Sequence, residues 1–101
     1  MKRYDKLVRD KVVAGILRKG GGAEWHIAGK REYKTKLMRK LQEEVREFLR
    51  AENLEEMADV LDVLEAICIL KGFSTERVKA ARRKKAREKG KFKDRIILER
   101  S

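Results

Sequence analysis

Leu7, Val8, Val12, Val13, Ile16 and Leu17 recur at helical intervals until Gly20-Gly21-Gly22, so the pattern predicts a short first helix that the glycines stop. From about residue 31 to 51, Leu37, Leu41, Val45, Phe48 and Leu49 fall along one stripe with lysines and arginines elsewhere, which predicts an amphipathic second helix. Asn53 is a good N-cap and Glu56 stands three residues later, so a third helix is expected from about Leu54 to Leu70, ending before Lys71-Gly72. Two long helices joined so tightly fold back as an antiparallel hairpin. Ser74 or Thr75 can cap a fourth helix that runs to Gly90. Ala23 to Ala28 and the β-branched tail FKDRIILE, residues 92–99, read as short extended segments, and the tail is a candidate to pair with the stretch around Trp25. The fold class that follows is mainly α: a helix hairpin within an all-α bundle, one domain over residues 1–101.

The third helix carries two apolar stripes. Leu54, Met57, Leu61, Leu64 and Cys68 lie on one side, and Val63, Ile67 and Leu70 on the other. The second helix covers one of them. A domain this small buries only roughly 60–70% of the surface its unfolded chain exposes, so the other stripe calls for a second copy, in a homodimer or a dimer of dimers. Val63 and Ile67 are expected at that boundary.

Charge changes the picture. The formal net charge is +11, yet between Glu43 and Glu65 there are nine carboxylates and only two bases, Arg46 and Arg50. Glu44 and Glu47 are neighbours beside the stripe of the second helix, and Glu56 and Asp59 stand in the same relation on the third. Moreover, Glu56 and Asp59 continue the Val63–Ile67–Leu70 stripe, where apolar side chains would be expected. Facing one another in a hairpin, four partly buried carboxylates repel unless protonated or neutralised by a cation. The competing reading is a solvated face paired to Lys36, Lys40, Arg46 or Arg50. A bound metal resolves the conflict for the paired arrangement, and an all-oxygen ligand set favours Mg²⁺ or Mn²⁺. A di-iron carboxylate site requires Glu-x-x-His pairs, and the one histidine, His26, lies in a different kind of segment with no carboxylate expected near it.

Glu43-Glu44-x-x-Glu47 followed by Glu56-x-x-Asp59 resembles the signature of the MazG-type nucleotide pyrophosphohydrolases, the all-helical superfamily that includes phosphoribosyl-ATP pyrophosphohydrolase. The opening YDKLVRDK, Lys40-Leu41 before the acids, and the closing GKFKDRIILE resemble a small branch of that superfamily, so the likeness spans nearly the whole chain. The gap between Glu47 and Glu56 is shorter than in many members, which leaves less room for a base-recognition loop. The resemblance implies Mg²⁺-dependent cleavage of a nucleoside triphosphate or related nucleotide between the α- and β-phosphates, giving the monophosphate and pyrophosphate. It implies Glu44, Glu47, Glu56 and Asp59 as metal ligands. Glu43 points about 40° past Glu47 at helical spacing and is assigned as an outer-shell group or a base for water. Lys40, one turn before Glu44 on the same face, is the best phosphate-binding candidate within the helix. Arg9 and Lys11 join it through the resemblance of KLVRDK to its counterpart. Trp25 is a candidate to stack on a base, and Cys68 reads as structural.

The lone cysteine excludes an internal disulfide framework and fits a reducing compartment, so a cytoplasmic location is expected. No apolar run approaches the ~20 residues of a membrane span, and MKRYDKLVRDK lacks the apolar segment of a secretory signal. A second class of function competes with the enzyme. KAARRKKAREKGKFKDR holds ten Lys or Arg against Glu88 and Asp94, which suits a basic helical nucleic-acid-binding module without catalysis. That reading leaves the carboxylates in the apolar stripe unexplained, and no RNA-binding aromatic motif accompanies the charge.

Overall fold

A computed structural model describes residues 2–101 and contains four helices: α1 Val12–Arg18, α2 Lys30–Ala51, α3 Leu54–Lys71 and α4 Thr75–Lys89. The all-α fold class expected from the sequence is observed. The first helix is shorter than its apolar pattern, because Leu7 and Val8 lie ahead of it in an irregular segment. No strand forms among the described residues. Residues 23–28 and the segment from 95 onward are irregular, so the expected pairing of the tail with the Trp25 region does not occur. Trp25, Ile96 and Ile97 are all exposed. With only a few β-favouring residues in each segment, neither brings a hydrophobic face broad enough to hold a two-stranded ribbon.

Local chemistry sets each helix boundary. Strong helix formers fill α2, with Glu32 in its first turn and Arg50 in its last, both complementing the helix dipole. Its end is fixed by Glu52 in the left-handed conformation (φ 48°), whose N–H donates to the Phe48 carbonyl. Asn53 then caps α3, its side-chain oxygen accepting from the Glu56 N–H at 2.9 Å. The link between the two long helices is thus two residues. At the far end of α3, Gly72 is also left-handed, and the Phe73 N–H reaches the Cys68 carbonyl at 2.9 Å while the Gly72 N–H reaches that of Ile69 at 3.2 Å. This Schellman closure turns the chain sharply. Ser74 caps α4 by accepting from the Arg77 N–H at 3.2 Å.

The core is the α2–α3 seam, the one extensive helix–helix contact among the described residues. Leu37 on α2 is 1% exposed and Val63 on α3 is 8% exposed. Around them Tyr33, Leu41 and Phe48 of α2 and Val60, Ala66, Ile67 and Leu70 of α3 are half-buried. The stripe that faces α2 is therefore the Val63–Ile67–Leu70 one. This corrects the expectation that Val63 and Ile67 lie at a boundary between copies. The other stripe is open: Leu54 is 81% exposed, Leu61 56% and Leu64 40%. One consequence is the meeting of the acids. Glu56 and Asp59 share the Val63 face, and the seam is where α2 brings Glu44 to meet them.

The radius of gyration is 18.0 Å and the extents are 57 × 30 × 23 Å. A compact chain of this length has a radius of about 13 Å, so the molecule is elongated, and α4 makes no extensive contact with another helix among the described residues. No helix is long and apolar enough to cross a membrane among the described residues.

Candidate metal centre

Glu44 lies in the middle of the buried face of α2, about two turns beyond Leu37, rather than at its flank. It is 8% exposed, the one buried charged residue among those described. Helical geometry places it there, since residues seven apart return to nearly the same side. Across the seam, the first turns of α3 present Glu56 and Asp59, both half-buried. One carboxylate oxygen from each of Glu44, Glu56 and Asp59 lies within 4.8 Å of the others. The tight Glu52-Asn53 turn makes this possible by holding the C-terminal half of α2 against the N-terminal half of α3.

Three of the four expected ligands thus converge. Glu47, the fourth, is instead ion-paired with Arg50, one turn later on the same helix. It stays close enough to help hold the Glu56 carboxyl above the usual carboxylate range. That rise comes first from desolvation, then from the charges of Asp59, Glu47 and Glu44, with Arg50 opposing it. The shift thus reflects withdrawal from water first and the neighbouring like charges second.

Cations ring the cluster. Lys40 Nζ lies 3.4 Å from Glu44 Oε1 and 3.7 Å from Glu43 Oε1. Glu43 also accepts from Lys6 Nζ at 3.2 Å and stands outside the three-carboxylate group. Arg9 forks across one turn of α3, donating from Nη2 to Asp59 Oδ1 at 2.6 Å and from Nη1 to Asp62 Oδ2 at 2.8 Å. These bonds raise the already high pKa of its guanidinium further, the Asp59 bond most. The segment before α1 is held to the hairpin by these contacts and by Lys36, which donates to the Asp5 carbonyl at 2.5 Å. Lys11 is exposed at the N-cap of α1 and its side chain makes no hydrogen bond or ion pair to the cluster.

Lys6 and Asp62 escaped the sequence reading. Both had a detectable signal: Lys6 precedes Arg9 by three residues in KLVRDK, and Asp62 follows Asp59 at the same spacing that separates Glu56 from Asp59. His26, expected to have no carboxylate nearby, meets Glu32 at 2.9 Å through Nε2. Both side chains are remote in sequence from the acidic motifs and form an exposed local contact. Cys68 is a free thiol, half-buried on α3.

The donor set of the cluster is all oxygen, with no imidazole or thiolate, which suits a hard divalent cation. Compared with known proteins, the chain matches no protein-family model, no curated protein and no solved structure.

Proposed function

We propose that this chain is a Mg²⁺-dependent nucleotide pyrophosphohydrolase of the MazG type, with Mn²⁺ an alternative metal, cleaving a nucleoside triphosphate or related nucleotide between its α- and β-phosphates. The observation that carries this reading is the meeting of Glu44, Glu56 and Asp59 within 4.8 Å across the α2–α3 seam. Carboxylates on an apolar face are costly, and a divalent cation offsets that cost. Bound there, the ion would neutralise phosphate charge and acidify a water. Glu44, Glu56 and Asp59 would hold it, and Glu47 would join them on release from Arg50. Glu43, tied to Lys6 and Lys40, stands outside the ligands and orients or deprotonates the attacking water. Lys40 and Arg9 sit at the rim, where they exchange carboxylate partners for phosphate oxygens; Lys11, exposed, is a more peripheral phosphate contact.

A second copy covering the open Leu54–Leu61–Leu64 stripe belongs to the same proposal, as a homodimer or a dimer of dimers. The free thiol of Cys68 fits work in the cytoplasm.

A panel of nucleoside triphosphates with Mg²⁺, assayed for pyrophosphate release, tests the reading. The wild type should release pyrophosphate and the monophosphate. Glu56→Gln should lose more than the roughly 10–100-fold typical of outer-shell partners, the range expected for Glu43→Gln. Orthophosphate as the product, or full activity in Glu56→Gln, would overturn it.

A further inference from the structure

From α4 we infer a second binding surface, independent of the carboxylate cluster: a docking arm for double-stranded nucleic acid that seats in the major groove of B-form DNA through phosphate contacts.

The helix has eight Lys or Arg against Glu76 and Glu88 in 15 residues. Arg77 donates to the Gly72 carbonyl at 3.5 Å. None of the seven other cations of α4 makes an ion pair or side-chain hydrogen bond among the described residues, and all seven are exposed. Only Val78 and Ala86 of this helix are half-buried. A concentration of positive charge left without counter-ions releases condensed cations from a polyanion when it binds one, which gives a favourable, salt-dependent association.

The arrangement of the charges selects among polyanions. At 100° per residue, Lys79, Arg82, Arg83, Lys84, Lys85, Arg87 and Lys89 are spread around the whole circumference of α4. The apolar residues Val78, Ala80, Ala81 and Ala86 are small and scattered rather than gathered on one side. An anionic bilayer takes a helix with a distinct apolar face, which α4 lacks. The acidic stretch of a second copy is a poorer match, because Lys6, Arg9, Lys40 and Arg50 already pair five of its nine carboxylates, Glu43, Glu44, Glu47, Asp59 and Asp62. A groove with phosphates on both walls suits a helix charged on all sides. The major groove of B-form DNA, about 12 Å wide, admits an α-helix, whereas the narrow major groove of A-form RNA does not. Fifteen residues span about 22 Å, enough to follow the groove past roughly six base pairs at 3.4 Å each. The Ser74 cap and the Schellman turn at Gly72 hold the start of α4, so the arm is helical before it binds. Asn and Gln, the readers of adenine, are absent from it, and with its arginines assigned to phosphates rather than guanine edges the binding is largely indifferent to sequence.

Fluorescence anisotropy of the full chain with labelled 20-base-pair duplexes (about two helical turns) tests the inference. Binding should weaken with KCl at a log–log slope of about −4 to −5, as for some five phosphate contacts. Arg82→Ala/Arg83→Ala/Lys84→Ala/Lys85→Ala keeps good helix formers in place, a point checked by circular dichroism, and should weaken binding by about 30-fold or more while flattening the slope by about 2 to 4. Arg82→Lys/Arg83→Lys should bind within about threefold of wild type, as phosphate contacts require charge rather than a planar fork. Glu56→Gln should bind the duplex like wild type, separating this surface from the metal centre. No binding at low salt, wild-type affinity in the fourfold alanine variant, or equal affinity for duplex RNA would each overturn the inference. So would capture by phosphatidylserine vesicles without duplex binding, or loss of self-association alone in the fourfold variant.

Discussion

Replacing Leu37 with alanine probes the seam on which both stability and the site depend. Leu37 is 1% exposed, and Val63 is the one other buried apolar residue described, so no second layer stands behind it. Core Leu→Ala changes cost about 2–5 kcal/mol, the larger values where the surroundings cannot collapse. The open sides of this hairpin allow some closure, which sets the expected loss at about 3 kcal/mol. Total stability for a chain of this length is about 5–15 kcal/mol, so the loss is a large fraction. At about 4–8 °C per kcal/mol, Tm falls by about 12–24 °C. Leu54→Ala is the matched control: the same atoms are removed from a side chain 81% exposed, and the change should stay within about 0.5 kcal/mol. Thermal unfolding followed by circular dichroism reads both. Equal shifts in the two variants, or a loss below about 1 kcal/mol at Leu37, would refute the assignment of the α2–α3 seam as the core.

The raised pKa of Glu56 means that the folded state holds its proton more tightly than the unfolded chain does. Its ionisation therefore destabilises the metal-free fold fully above the raised value, and the penalty vanishes as pH falls below the ordinary glutamate range. Metal-free Glu56→Gln should melt higher than wild type at about pH 7.5 and show little advantage at about pH 4; a lower Tm at neutral pH would refute the crowding. With Mg²⁺ at about ten times its Kd the order should reverse, because wild type alone gains about 6–11 °C. Assembly is tested by Leu61→Glu/Leu64→Glu, which alters exposed positions only. Sedimentation should show a folded monomer in place of the wild-type dimer or larger species, and a wild type that is monomeric at micromolar concentration would sink the second-copy proposal. By contrast, Val63→Glu should unfold the chain, as a charge buried without a partner does.

The helices were legible because their determinants are local. Asn53 and Ser74 cap where side-chain oxygens stand before helical runs, Gly72 stops α3 where a left-handed residue is needed, and the spacing of Leu37, Leu41 and Phe48 marks one face of α2. The shared side of Glu56 and Asp59 follows from the same period, so the candidate site was visible before the fold. Its limits were not. Glu52 takes a left-handed conformation that glycine or asparagine usually supplies, and nothing in its neighbours announces it. Glu47 turns to Arg50 because a partner one turn away on the same helix is reached more readily than a group across the seam.

By itself, the sequence determined the four helices, the hairpin, and the fact that four acids, with Lys40 one turn before Glu44, belong to its two long arms. Only the tertiary structure decided which stripe of α3 is core, that Arg9 clasps Asp59 and Asp62, and that α4 stands clear of the hairpin. Periodicity specifies which residues share a face of one helix. Which face meets a neighbour depends on rotations and contacts between segments far apart in the chain, where Glu44, buried on α2, can be brought to Glu56 and Asp59 only by the way the two helices pack.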